Sequence, residues 1–219
     1  AMGFSKKIKA LFDDPTYQTV FDARLNPDNR STEEWAIAGD TGGYVAAGVG
    51  GGITGKGAHV LTIDDPIKNA EEADSPTVRE GLWDWYGSTA YTRLAPGAGV
   101  LVIQTWWHDD DLAGRLQQAM ADDPEADQFE IIKYPAIADF AEFLDTSTDE
   151  IVRVTTDAKD SVSALIEAAK LGIPTAELKF LRAKGDPLHE ARYDIKKLNR
   201  IKKTIGQRFW SALYQQNPV

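Results

Sequence analysis

Two adjacent carboxylates, Asp64 and Asp65, follow directly on the run His59-Val60-Leu61-Thr62-Ile63 and precede Pro66. A short continuous apolar run of this kind reads as a strand buried on both faces of a parallel sheet, and in open α/β sheets ligands gather at the carboxyl ends of the strands. Asp64 and Asp65 are therefore expected to face a crevice. In nucleotide-hydrolysing enzymes of the P-loop class, an acid at that point holds Mg²⁺ through water, and the next acid orients the attacking water. Asp-Asp-Pro also has a plainer reading as a strand cap that opens a turn. The local sequence leaves the two readings in balance.

A second run, Val100-Leu101-Val102-Ile103, ends in Gln104-Thr105-Trp106-Trp107-His108-Asp109-Asp110-Asp111. Two strands thus deliver polar groups to one edge, with Gln104 and Thr105 beside the acids of the first. His108 with Asp109 to Asp111 has the ligand types of a metal site, but a helix starting at Asp109 or Asp110 also wants acids in its first turn, and the helix start is the favoured reading. The third stretch with chemistry in view is Gly50 to Gly57 (GGGITGKG), which fits G-x-x-x-x-G-K through Gly50, Gly55 and Lys56. Gly57 stands where Ser or Thr would ligate Mg²⁺. The stretch also precedes a strand, whereas a P-loop follows one and opens a helix whose amides cradle phosphate. A loop whose glycines take positive φ is favoured over a phosphate site at Lys56.

The elements that must position these groups follow from periodicity. Ser5 to Phe12 is a short amphipathic helix, Pro15 permits a new start, and Asn26 to Thr32 is a polar loop. Trp35 to Ala38 and Tyr44 to Ala47 flank a glycine-rich turn and predict a hairpin. Ser75-Pro76 supplies an N-cap and a first-turn proline, and Val78, Leu82, Trp85, Tyr86 and Thr89 share a helical face through about Leu94. Strand, helix and strand in that order predict parallel pairing with a right-handed crossover. Leu112, Leu116 and Met120 continue a helix, and Phe129 to Pro135 reads as a third strand. From Asp139 to Lys184 the register is helical and acidic, with Asp160 to Leu171 closed by Gly172 and a second helix from Thr175. Tyr193 to Ile205 is a basic amphipathic helix ended by Gly206; its lysines either touch DNA phosphate or form a solvated face, the latter favoured.

With 219 residues and 42% hydrophobic content the chain can bury a core, and it contains no cysteine and hence no disulfide, thiolate metal site or cysteine nucleophile. No run approaches the roughly 18 apolar residues of a membrane span, and the N-terminus lacks a charged-then-apolar secretory pattern, which points to the cytoplasm rather than export. The formal charge of −10 weighs against the chain as a whole being a nucleic-acid binder, although local basic patches remain open.

The stretches HVLTIDDPIKNAEEADS, WDWYGSTAYTRLAPGAGVLVIQTWWHDDDLAGRL and SALYQQNPV resemble the large terminase subunit of tailed bacteriophages and their prophages. The resemblance covers Lys6 to about Ala138 and resumes at Gly185. It implies an α/β fold of the additional-strand RecA-like type: a mostly parallel sheet flanked by helices, with residues 1–138 an incomplete ATPase core and 139–219 a mostly helical segment. It also implies ATP and Mg²⁺ as cofactors, and double-stranded DNA, the small terminase subunit and the portal as partners in a motor that packages viral DNA into procapsids in the host cytoplasm. No membrane is implied, and a homo-oligomer is left open. By the same resemblance Asp64 would be the Mg²⁺-side acid and Asp65 would stand where many members carry the catalytic glutamate. Gln104 and Thr105 would be the motif that senses the γ-phosphate.

The family's P-loop would lie upstream of Lys6 and its nuclease domain beyond Pro218, which makes the chain a middle piece that is not expected to hydrolyse ATP alone. Trp106 stands where the family commonly has arginine, and Asp65 is shorter than glutamate by one C–C bond, roughly 1.5 Å. A non-enzymatic, prophage-derived module that binds the small subunit, portal or DNA is the alternative. A carboxylate-dependent nuclease built from Asp64, Asp65 and Asp109 to Asp111 would need acids converging on two metals about 4 Å apart, and ranks last.

Overall fold

The computed structural model describes residues 2–218, so the last residue of SALYQQNPV, Val219, lies outside the described part. The chain is mixed α/β and divides into two compact units, Ala1–Gln104 and Thr105–Val219.

The first unit begins with α1 (Met2–Phe12) and α2 (Pro15–Val20), the latter capped by Asp14, whose carboxylate accepts from the amides of Thr16 and Tyr17. An antiparallel sheet follows, in the order β1 (Leu25–Arg30), β2 (Glu34–Ile37), β3 (Gly43–Val45). The hairpin predicted around Gly39 to Gly43 is there, with Gly39 at φ 74°. The polar loop expected over Asn26 to Thr32 is instead largely strand β1. An edge strand takes its ladder from its neighbour and leaves its side chains in water, so neither polarity nor Pro27 prevents it. Phe12, Leu25 and Trp35 form the core here, with Tyr17 and Tyr44 against them, and Trp35 Nε1 donates to the buried Ser5 hydroxyl at 3.2 Å.

Strand β4 (Ala58–Asp64) and strand β5 (Leu94–Ile103) pair in parallel, as expected. Between them α3 (Ala70–Asp74) is capped by Asn69, and α4 (Pro76–Trp85) by Ser75 with Pro76 in its first turn. The chain continues through a π-helical turn, Tyr86–Ala90, and a 3₁₀ turn, Tyr91–Arg93. Leu82, Tyr86 and Ala90 are buried, but Val78 is exposed and Arg79 takes the buried position beside it, its guanidinium donating to the Ala73 carbonyl. Pro96 and Gly97 lie inside β5, in an irregularity where two steps of β4 are matched by five of β5. A bulge accommodates a residue without an amide donor and one at φ 77°.

This sheet has two strands among the described residues, and the other sheets are antiparallel, so the expected mostly parallel sheet is not what the strands form. Nor is β4 covered on both faces: Val60 is 69% exposed, and Leu101 and Ile103 are 49% and 50% exposed, whereas Ile63 is buried. The alternation follows from parallel register, which puts Val60, Thr62 and Asp64 on one face with Leu101 and Ile103.

The second unit starts with α5 (Leu112–Asp122). Phe129 to Pro135, predicted as a strand, has no ladder, and Ile131, Ile132 and Tyr134 are exposed. The stretch expected to be helical, Asp139 to Lys184, instead builds an antiparallel sheet in the order β7 (Glu150–Val154), β6 (Ala141–Asp145), β8 (Leu178–Arg182), with α6 (Ser161–Lys170) against it. Only α6 matches the helical reading; the helix placed from Thr175 is β8. Phe143, Val154, Ala164 and Ala168 are the buried centre. Glu142 is buried with Arg182, Nε to Oε2 2.6 Å, and Arg182 also donates to the Pro135 carbonyl at 3.1 Å. The last helix, α7 (Ile195–Phe209), is interrupted at Gly206 (φ 79°, ψ 169°) as its sequence predicts, and a π-helical turn, Trp210–Tyr214, follows.

Candidate functional site

β4 ends at Asp64, which is in register with Ile103, the last residue of β5, so Asp64 and Gln104 emerge at neighbouring strand ends. Asp65 turns the chain away. Its amide donates to the Ile103 carbonyl at 2.8 Å and its φ is 42°. Aspartate is among the few non-glycine residues that tolerate the left-handed region, because its short side chain can bond locally. Both carboxylates are exposed, and behind them Pro66 leads to the buried Ile67. The strand that follows α4 was needed to bring Gln104 here. Thr105, the next residue, opens the second unit.

Mg²⁺ takes oxygen ligands and keeps several waters, with one or two carboxylates and substrate phosphates completing its shell. Asp64 and Asp65 fit that requirement: they are hard oxygen donors in water-accessible positions, and among the described residues no Lys or Arg is paired with Asp64. No group of three His, Cys, Asp or Glu side chains that would enclose a metal exists among the described residues. A metal here would rest on Asp64 and water, with Asp65 beside it.

The Gly50 to Gly57 loop has no helix after it, only β4, and Gly50 and Gly55 take φ of 77° and 79°. Lys56 is ion-paired with Glu34 on β2, Nζ to Oε1 2.6 Å. There is no helix N-terminus to cradle phosphate, and the lysine is turned to a carboxylate.

In the second unit the acids Asp109 to Asp111 build the start of α5. Asp111, 1% exposed, is its N-cap and accepts from the Gly114 amide at 3.2 Å. A Cβ on Gly114 would strike the Asp109 carbonyl, so the turn is also closed sterically. Asp110 holds Arg115 through two oxygens at 2.8 and 3.1 Å, and His108 Nδ1 accepts from the Asp110 amide at 3.0 Å and lies 2.8 Å from Asp109. The helix starts two or three residues later than expected, with no acid in its first turn; Asp111 caps it, and Asp109 and Asp110 are held by His108 and Arg115.

Three features were not read from the sequence. Lys133 stands over the Trp106 ring at 4.1 Å, and its pKa is pushed down, first by desolvation and then by Arg153; a lysine inside Ile131-Ile132-Lys133-Tyr134 was the available signal. Gln215 brackets Ile137, its Oε1 accepting from the amide at 3.0 Å and its Nε2 donating to the carbonyl at 2.9 Å, while Gln216 Oε1 accepts from the Tyr134 amide at 2.7 Å. The Glu142–Arg182 pair joins residues forty apart and left no local trace.

The family described as "Terminase large subunit, T4likevirus-type, N-terminal" matches residues 2–177, most of the chain. The chain belongs to that family. Membership gives it a part in phage DNA packaging, with DNA and the packaging complex as partners in general terms. The matched region includes both strand ends, the Asp111 cap and β6, β7 and α6, so the antiparallel sheet of the second unit falls largely within the terminase match. Among curated proteins none matches the chain. No helix among the described residues is long and apolar enough to cross a membrane.

Proposed function

We propose that this chain is the part of a phage DNA-packaging ATPase that carries the metal-side acids and the nucleotide-sensing strand end. The observation that carries the reading is the register of β4 on β5, which sets Asp64 beside the residue preceding Gln104. The parallel β4–β5 pair is the portion of a RecA-like sheet that this role requires, since both strands must deliver their carboxyl ends to one edge. Asp64 would hold Mg²⁺ through water and Asp65 would orient the attacking water, while Gln104, at the neighbouring strand end, would report on the γ-phosphate. The bound metal supplies charge neutralisation for phosphoryl transfer. In the complete motor the chain acts in the host cytoplasm with ATP, DNA, the small subunit and the portal.

Hydrolysis needs more than acids. Phosphoryl transfer depends on a cradle of amides and a lysine around the β,γ-phosphates, and the Gly50 to Gly57 loop leads into a strand with Lys56 paired to Glu34. A steady-state phosphate-release assay on residues 1–219 and on Asp64→Asn tests the reading. No Mg²⁺-dependent turnover above background is expected from either. Clear turnover that disappears in the variant would make Gly50 to Gly57 a working phosphate site.

A further inference from the structure

The chain's charge is unevenly placed. The whole carries −10, yet α7 contains Lys196, Lys197, Arg200, Lys202, Lys203 and Arg208 and no acid, so one helix is +6 and the remainder −16. At 3.6 residues per turn, Lys196, Arg200 and Lys203 fall within an arc of about 60°, roughly opposite the arc of Leu198, Ile201 and Ile205. Leu198 is buried and both isoleucines are half-buried, so the apolar arc is the one that packs.

The six cations then separate by what they touch. Lys197 stands over the Tyr193 ring at 4.4 Å and Lys202 over Trp210 at 5.7 Å, and Arg208 lies beyond the break at Gly206. Lys196, Arg200 and Lys203 are exposed, and among the described residues none of them has a carboxylate partner. In a chain with ten more acids than bases, three adjacent cations without an acid neighbour form a surface kept open for an anion. Their spacing along the axis, about 6 Å and then about 4.5 Å at 1.5 Å per residue, matches a ligand with repeated charges rather than a single phosphate.

We propose that this face of α7 is a docking surface for the phosphate backbone of double-stranded DNA, bound without regard to sequence. The geometry calls for a regular polyanion; the choice of duplex DNA rests on the packaging role proposed above. Three lysine and arginine contacts displace condensed counterions, so binding should weaken with salt at a slope of about −2.7 from this face alone, or about 40-fold between 50 and 200 mM salt.

The test is equilibrium binding of the chain to a labelled duplex across that salt range, without Mg²⁺ or nucleotide, so the outcome is independent of the phosphate-release assay. The variant Lys196→Gln/Arg200→Gln/Lys203→Gln is compared with a charge-matched control, Lys6→Gln/Lys7→Gln/Lys179→Gln, whose three lysines are also exposed. All six positions are solvated, and a thermal melt of each variant serves as the folding control. The α7 variant is expected to bind at least tenfold more weakly at 50 mM salt and to lose about 2.7 from the slope, with the control close to wild type. Equal weakening in both variants, an α7 variant that binds as wild type, or no duplex binding by wild type at 50 mM salt would each overturn the proposal. The last of these would point the face toward an acidic protein instead.

Discussion

At φ 42° Asp65 occupies backbone space that costs most side chains about 1–2 kcal/mol. Strain of this kind clusters where a site over-determines the backbone, and here the turn both ends β4 and leaves Asp64 at the strand end. It also gives a local reason for aspartate at this position, because aspartate is enriched in the left-handed region. Asp65→Val is expected to lose about 1–2 kcal/mol in chemical denaturation while Asp65→Gly loses none; equal stability of the two would remove the backbone argument. Asp111 provides a contrast, since its carboxylate caps α5. Asp111→Asn should be nearly neutral and Asp111→Ala should cost about 1 kcal/mol, a pattern opposite to that of a metal ligand, for which the amide would be a poor substitute. The existence of both acid groups was legible in the sequence because each sits at the end of a local pattern. The φ of Asp65 and the Lys133–Trp106 stack were not, because both are imposed by neighbours distant in sequence.

Elements show where local reading stops. Ser75-Pro76, the hairpin around Gly39, α6 and the break at Gly206 were all readable, because caps, glycine turns and helical faces are written within a few residues. β1 and the β7-β6-β8 sheet were not: β1 is polar because it is an edge, and β6 carries Glu142, an acid in a buried strand that makes sense only beside Arg182 of β8 and Arg153 of β7. Glu142 also holds Arg153, Nε to Oε1 3.4 Å, so the unpaired buried charge arises when the acid is removed: Glu142→Leu should cost about 3–5 kcal/mol by stranding Arg182, and adding Arg182→Met should recover much of it. At the opposite end, Gln215 substitutes for a strand partner by bonding both backbone groups of Ile137. Gln215→Ala should cost about 1–3 kcal/mol in a denaturation midpoint and speed amide exchange at Ile137; unchanged exchange there would refute the bracket. The Asp160 cap on α6 adds a pH dependence. Hydrogen bonds from the Ser163 amide and then its hydroxyl hold its carboxyl below the ordinary 3.8. The cap's contribution is therefore present above the ordinary aspartate range and is lost as pH falls through the lowered value. Thermal melts should show wild type above Asp160→Ala at pH 6, with the gap closing toward pH 3.

For the molecule as a whole, the proposed function puts the metal of a packaging ATPase at the carboxyl end of β4, at Asp64, and not at the acids before α5, of which Asp111 is the helix cap. The claim can be read without turnover, since weak hydrated cation binding leaves a local mark even where no phosphate is held. Mn²⁺, a paramagnetic stand-in for Mg²⁺, titrated into ¹⁵N-labelled residues 1–219 tests it most directly. The expected result is selective broadening of the amides of Asp64, Asp65 and Gln104 that is abolished in Asp64→Asn. Broadening centred on His108 to Asp111, or broadening at Asp64 that survives the substitution, would contradict the account.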